Sequence, residues 1–340
     1  MRLGERHRLL PLLYNNLRVE SANQPIEIPA LLKEKYALQT QHVLKLATEG
    51  VRISTLFDRE GMESILLKGP FLSQQIYNNP TTRPSRDIDI LVLPENIERV
   101  NDLLLDEGYR MVYPDFELST RQQKFYRLHK NQYAYRSAAN GCLVEVHWRL
   151  FSQRGIFPVS TEQVFAEKQE LIIAGKPIHV LSKNHCIEHL CLHGALHQWF
   201  RLLWLRDIAQ LLGDEKENLA EILRLAKKNG NDRSVEQAII LSNLFFGSPV
   251  SLPGIKAKHP LTSITNQATT AIISDESKAL SRKISRMRVP FYRMKLKRGA
   301  QYKLSCWTIL QPNFADWKKV KLPDSLFFLY FLLRPFIWFY

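Results

Sequence analysis

The sequence is poor in cysteine, has no apolar run long enough to cross a bilayer, and contains no internal repeat or long low-complexity tract. Four cysteines in 340 residues (Cys142, Cys186, Cys191 and Cys306) form no disulfide framework and read as reduced thiols of a cytoplasmic chain. The opening "MRLGERHRLLPLLYNNL" is basic, but its apolar run from Leu9 to Leu13 is broken by Pro11 and is too short for a signal peptide. The segment "LFFLYFLLRPFIWFY" is uncharged only from Leu326 to Leu333, well short of the ~20 residues a spanning helix needs. No integral membrane span is therefore expected. The segment reads first as a helix docked on the body, and second as a membrane-peripheral anchor beside Lys318, Lys319 and Lys321.

Acid is the scarcer charge. Against 47 Lys and Arg stand 33 Asp and Glu, a formal net charge of +14 that suits a polyanionic partner such as nucleic acid, nucleotide phosphates or an anionic membrane. Residues 278–303 hold ten Lys or Arg and no Asp or Glu. They read either as a contact for an acidic surface partner, RNA or membrane, or as a solvated helical face. With 45% hydrophobic and 24% charged residues, wholesale disorder is excluded, and the length suffices for two domains.

Periodicity divides the chain. Residues 1–60 read as an N-terminal helical segment, with apolar residues three to four apart up to a stop at Gly61. From residue 61 to 182 the pattern is α/β. "SILLKG" is a short strand ending in glycine, "PFLSQQIYNNP" a helix with Pro70 in its first turn, "DIDILVL" a strand, and "PENIERVNDLLLDEGY" a helix. "CLVEVHWRL" is a strand whose alternation sets Val144, Val146, Trp148 and Leu150 against Glu145, His147 and Arg149. "QELIIAGKPIHVLS" reads as a hairpin around Gly175. Residues 183–340 read as a helical C-terminal domain, with "HCIEHLCLHGALHQWFRLLWLRDIAQLL" wholly helical and the pattern continuing to about Phe246. The expected class is α+β: a small mixed sheet flanked by N-terminal helices and a helical C-terminal half.

Asp87 and Asp89 sit in an otherwise apolar strand, two residues apart and hence on one face, about 7 Å from each other. Paired carboxylates on a half-buried face repel, and their desolvation is costly. A divalent cation is the simplest compensation, and hard oxygen ligands favour Mg²⁺ or Mn²⁺. Two such ions can clamp the attacking and leaving oxygens of a phosphoryl transfer. Glu145, on the polar face of another strand, is the natural third ligand. Gly69, between a strand and a helix, lets backbone amides approach a phosphate, and Lys68 adds a point charge.

The order strand–Gly–helix, Asp-x-Asp strand, later strand carboxylate resembles the polymerase-β-like nucleotidyltransferase superfamily. "LLKGPFLSQQIYNNPTTRPSRDIDILV" and Val144-Glu145-Val146-His147-Trp148 look like an uncharacterised group of bacterial nucleotidyltransferase family proteins. So do "HRLLPLLYNNL", "HGALHQWFRLLWLRDIAQLL" and "LFFLYFLLRP". The resemblance implies a polymerase-β-like core and a Mg²⁺-dependent transfer of an NMP from an NTP, such as ATP, to a hydroxyl acceptor: sugar, peptide, RNA or protein. Asp87, Asp89 and Glu145 would be catalytic and metal-binding. Lys68, Gly69, Arg83, Arg86, His147 and His193 would face substrate. For Arg86, a salt bridge to Asp87 or Asp89 is the alternative. The superfamily usually has Ser or Gly after the glycine and a short gap to the aspartates, whereas here Pro70 follows and Asp87 lies 18 residues on. A phosphate grip of different shape is expected.

Other readings compete. A non-catalytic nucleic-acid- or membrane-surface-binding protein on a degenerate nucleotidyltransferase scaffold would use the basic C-terminal half, although the three carboxylates are all present. "HCIEH", residues 185–189, matches an inverted zinc-protease pattern, but no third ligand stands out downstream. His193, with His197 and Asp207, reads either as lining the cleft or as a hydrogen-bonded core network joining the two halves. Trp199 and Trp204 fit core positions at helical spacing.

Overall fold

The computed structural model describes residues 1–214, 218–247, 259–274, 282–307 and 311–339. The chain opens with helices α1 (Arg2–Arg6), α2 (Leu10–Glu20) and α3 (Ala30–Arg59). Leu46, Ile53 and Phe57 fall on one stripe of α3 and are fully buried. The core follows as β1 (Ser64–Leu66), α4 (Gly69–Tyr77), β2 (Ile88–Val92), α5 (Ile97–Asp106), β3 (Tyr109–Tyr113), α6 (Thr120–His129), β4 (Gln132–Ser137) and β5 (Leu143–His147). These strands form a sheet in the order β1-β2-β5-β4-β3. The β2–β5 pair is parallel and the others antiparallel, so the sheet is mixed, as expected.

Two of its strands escape the sequence reading. "YRMVY" and "QYAYRS" scatter arginines and tyrosines without clean apolar alternation. Cross-strand pairing and ring packing hold them instead, Tyr133 stacking on Tyr126 with centroids 5.3 Å apart. After α7 (Thr161–Ala166) comes a hairpin of β6 (Gln169–Ile173) and β7 (Lys176–Val180). It turns through Ala174 and Gly175, both at positive φ, so the expected hairpin is present.

The elements that follow among the described residues are helices: α8 (Lys183–Leu196), α9 (Leu202–Asp214), α10 (Leu219–Lys228), α11 (Asp232–Phe246), α12 (His259–Ile273), α13 (Arg282–Leu296), α14 (Ala300–Ser305), α15 (Phe314–Lys319) and α16 (Leu329–Phe339). The run expected to be helical from residue 185 onward is interrupted between α8 and α9, where Gln198 and Trp199 have φ of 55° and 53°. Trp199 is fully buried and folds back beneath α8. A Cβ on Gly194 would lie 2.2 Å from its ring, so only glycine fits there. The indole Nε1 donates to Gln237 Oε1 at 3.1 Å, which satisfies its polar end.

Alternation along the strands decides what each sheet face does. Ile88, Ile90, Val144, Val146, Tyr133 and Tyr135 pack with α3 and α5 in one apolar cluster. Ile65 and Leu91, from the other face, pack with Ile187 and Leu190 of α8. Helices therefore cover both faces, and the polar residues of the second face meet the helical half along a seam.

The chain returns to the sheet near its last helices, where Trp317, Phe327 and Tyr330 join the first cluster. Tyr330 Oη donates to Val320 O at 2.7 Å and accepts from Leu322 N at 3.0 Å. The outer side of this segment leaves Phe328, Phe331, Leu332 and Phe336 exposed. No described helix is long and apolar enough to cross a membrane. Of the basic stretch 278–303, residues 278–281 lie outside the described residues. The rest falls on α13, α14 and the turn between them, with Tyr292 and Tyr302 buried and Phe291 exposed.

Candidate active site

Parallel pairing of β2 with β5 sets Asp89 directly beside Glu145. Both project from the face opposite the α3 cluster, with His147 two residues further along β5. Asp89, Glu145 and His147 each offer a ligand atom, all within 4.8 Å of one another. Among the described residues no other group of three His, Cys, Asp or Glu side chains comes as close. His147 Nε2 lies 3.2 Å from Asp89 Oδ1 and 3.7 Å from Glu145 Oε2. Asn131 Nδ2 donates to His147 Nδ1 at 3.1 Å, which leaves Nε2 as the ring donor toward Asp89. Asp87 precedes β2 by one residue and is half-buried, outside this group of three but close enough to feel its charge.

The two aspartates diverge in protonation. Burial, then the Asp89 and Glu145 carboxylates, push Asp87 up to about 6, with Lys68 and Arg8 opposing. Burial also disfavours the Asp89 anion, but Lys68 and the His147 hydrogen bond outweigh it and hold that carboxyl below its usual range. His147 shows the same contest: burial works against its cation, and the bonds to Asp89 and Glu145 raise it above the ordinary value. This arrangement keeps one carboxylate ionised beside a second that gives up its proton near neutrality.

Lys68 is the residue that precedes α4, and its Nζ stands 3.3 Å from Asp89 Oδ1. Gly69 has φ of +65°, and a Cβ there would come within 2.9 Å of Ser85 Oγ. Glycine is thus required both by the backbone conformation and by the close approach of the loop carrying Asp87.

Arg8 completes the cationic side, and nothing in the sequence reading singled it out. The His7 carbonyl accepts from Leu203 N, and His7 Nδ1 accepts from Leu202 N, each at 3.3 Å. These bonds pin the N-terminal segment against the start of α9. Burial and then Arg201, Arg86 and Arg83 lower the Arg8 guanidinium to about 10, whereas Asp87 pulls it upward. Arg83 and Arg86 of one loop and Arg201 thus gather around Arg8, which in turn acts on Asp87. The one available signal was the block "HRLLPLLYNNL", which carries no periodicity that would point to a single residue.

Arg83 and Arg86 do different things. Arg86 is exposed at the rim. Arg83 is buried, and its Nε donates to Asp207 Oδ2 at 2.9 Å; Tyr77 Oη donates to Asp207 Oδ1 at 2.7 Å. Asp207 thus ties α9 to the core, with Arg83 and Tyr77 as its partners rather than the histidines of α8. His189 and His193 lie along α8 with ring centroids 6.1 Å apart. Burial first, and the nearby Lys68 ammonium second, push both well below the usual histidine value. His189 is 2% exposed, and neither ring nitrogen has a hydrogen-bond partner among the described residues.

The zinc pattern does not assemble. His185 Nε2 lies 3.6 Å from Glu167, Glu188 accepts from Asn229 and Asn231, and His189 faces Lys68 and Asp89. All four cysteines are free and buried.

Residues 1–247 match the family described as "Uncharacterised nucleotidyltransferase". No protein of curated function matches the chain. Among solved structures it is similar to an antigenic nucleotidyltransferase-like protein from Paracoccidioides brasiliensis. The identity is 14%, the match covers 65% of this chain and 92% of that one, and the TM-score is 0.37. With the family matched across both the sheet and the first part of the helical half, the chain belongs to the uncharacterised nucleotidyltransferase family.

Proposed function

We propose that the protein is a divalent-metal-dependent nucleotidyltransferase that moves an NMP from an NTP to a hydroxyl acceptor. The observation that carries this reading is the register pairing of Asp89 with Glu145, with Asp87 just before the strand and a cationic wall beside it. The donor set fits a hard cation. Three carboxylates influence one another, and His147 donates to one of them, the outer support that ligating carboxylates commonly have. When bound, Mg²⁺ or Mn²⁺ would neutralise phosphate charge and polarise the reacting oxygens. Asp87, Asp89 and Glu145 are the residues that would hold it.

The side chains supply the rest. Lys68 and the Gly69 backbone at the start of α4 meet the triphosphate, and Arg8 and Arg86 neutralise charge that develops on it. Glu145 takes the proton of the acceptor hydroxyl. The acceptor oxygen bonds to the α-phosphorus as the bond from that phosphorus to the bridging oxygen breaks. Pyrophosphate leaves, and the proton passes through Glu145 to water.

Asp89→Asn keeps the shape and removes the charge. Transfer of labelled NMP should fall by a factor on the order of 10³ or more, while the far-ultraviolet circular dichroism stays native. Undiminished transfer by this variant would overturn the proposal.

A further inference from the structure

Glu145 faces two ways. On one side is Asp89 of β2; on the other, its antiparallel partner on β4 is Ala134. A small residue there leaves the sheet surface open. A cavity of about 590 Å³ begins at Glu145 and Ala134 and runs over β4 toward β3, walled by Tyr113, Tyr126, Lys130 and Arg136. Residues 132, 134 and 136 of β4 share the face of Glu145 and His147, so the cavity floor continues the surface that carries the carboxylates. Lys68 follows β1, across β2 from this opening, and its Nζ reaches Asp89 from that side.

A nucleophile and a leaving pyrophosphate occupy opposite sides of the transferred phosphorus. With the triphosphate cations on the β2 side, the opening on the β4 side of Glu145 is where the acceptor must enter.

The walls carry a further signal. Among the described residues Glu145 is the one acid lining the cavity; Lys130 and Arg136 are cations. The Lys130 ammonium is disfavoured by burial and by the nearby Arg334 cation, and no acidic side chain offsets this. Arg136 spends one nitrogen on the Gly141 carbonyl at 3.1 Å and is otherwise exposed. Two cations beside an open cavity favour a ligand that brings negative charge.

We propose that the acceptor is a small hydroxylated molecule with an anionic group, its hydroxyl placed at Glu145 and its anion drawn to the cationic walls that Lys130 and Arg136 provide. This rests on the nucleotidyl-transfer reading for the role of Glu145, but the cavity can be probed without turnover.

Binding to the full-length protein is measured by ligand-observed NMR and calorimetry, with glycerol 3-phosphate, glycerate and glycerol as probes. A non-hydrolysable ATP analogue with Mg²⁺ is titrated separately. Binding of either anion, with glycerol at least tenfold weaker, supports the proposal. Capture of glycerol 3-phosphate alone assigns a phosphomonoester, and capture of both assigns a general anion. Arg136→Met, at an exposed position, and Lys130→Met should each weaken the anion at least tenfold. Ala134→Leu should abolish its binding by filling the floor, and all three variants should bind the ATP analogue as the parent does. Equal binding of glycerol, no binding of either anion, or anion binding unaffected by Arg136→Met and Lys130→Met overturns the proposal. Failure of the ATP analogue to bind the parent protein, with anion binding intact, instead sinks the nucleotidyl reading and leaves the anion cavity standing.

Discussion

The two faces of the β2–β5 pair are built from alternate residues of the same ten positions, yet they obey opposite rules. One face presents Ile88, Ile90, Val144 and Val146, each at most 1% exposed, to α3 and α5. The other presents Asp89, Glu145 and His147 to the seam. The apolar face gains stability from every buried methyl. On the polar face Lys68 and His147 offset the Asp89 charge, whereas Asp87, just before β2, is left with a charge that burial and its carboxylate neighbours resist. The contrast teaches that unrelieved charge is concentrated at Asp87, and that removing it should move stability in the direction opposite to a cut in the apolar face.

That expectation can be broken at several points. The largest effect on stability should come from the seam itself. Asp207→Asn strands the buried Arg83 cation and should lower unfolding free energy by about 3–5 kcal/mol, read from the urea midpoint at unchanged slope. A midpoint shift under about 1 kcal/mol would mean that water reaches Arg83. Next, Ile90→Ala on the apolar face should cost about 2–5 kcal/mol, with NMP transfer per folded molecule retained; a matching loss of transfer would show the faces to be coupled.

The smallest effect has the opposite sign. Asp87 titrates near 6 in the folded chain because burial and two neighbouring carboxylates resist its charge, whereas unfolded it returns to about 4. The folded state therefore keeps the proton longer. Stability falls as pH rises from about 4 to 6, and the loss persists above that range. In chelator-treated protein, Asp87→Asn should raise stability at pH 8 by about 1–2 kcal/mol and change nothing near pH 3.5. Thermal melts across that range test it, and added Mg²⁺ should shrink the difference by stabilising the parent. A destabilised variant at pH 8 would contradict the repulsion.

Much of this was legible in the chain and some was not, for identifiable reasons. The strand Ile88–Val92, the strand Leu143–His147 and the hairpin at Gly175 follow from local alternation and turn chemistry, which need no tertiary information. The carboxylates were visible as charge where apolar residues were due. Strands β3 and β4 were not, because Arg110, Tyr135 and Arg136 gain their places from cross-strand neighbours and not from local alternation. The break after Leu196 was hidden for a related reason: Trp199 fills the space above Gly194, a contact that no helical period encodes. Arg8 was invisible because its place beside Asp87 is set by His7 bonding to Leu202 and Leu203, almost two hundred residues away. The histidine row of α8 was seen as a row, but its facing toward Lys68 depends on how α8 packs.

Strand register works here as a caliper. One slip between β2 and β5 would bring Val144 or Val146 opposite Asp89 and send Glu145 to a different neighbour. The spacing of the carboxylates is therefore set by backbone pairing alone, and it does not depend on how many residues separate the two strands. Everything from Leu93 to Cys142 is an excursion that leaves the caliper and returns to it, and most of the cavity wall lies on that excursion. A change in its length or side chains would reshape the cavity while the jaws stay the same distance apart.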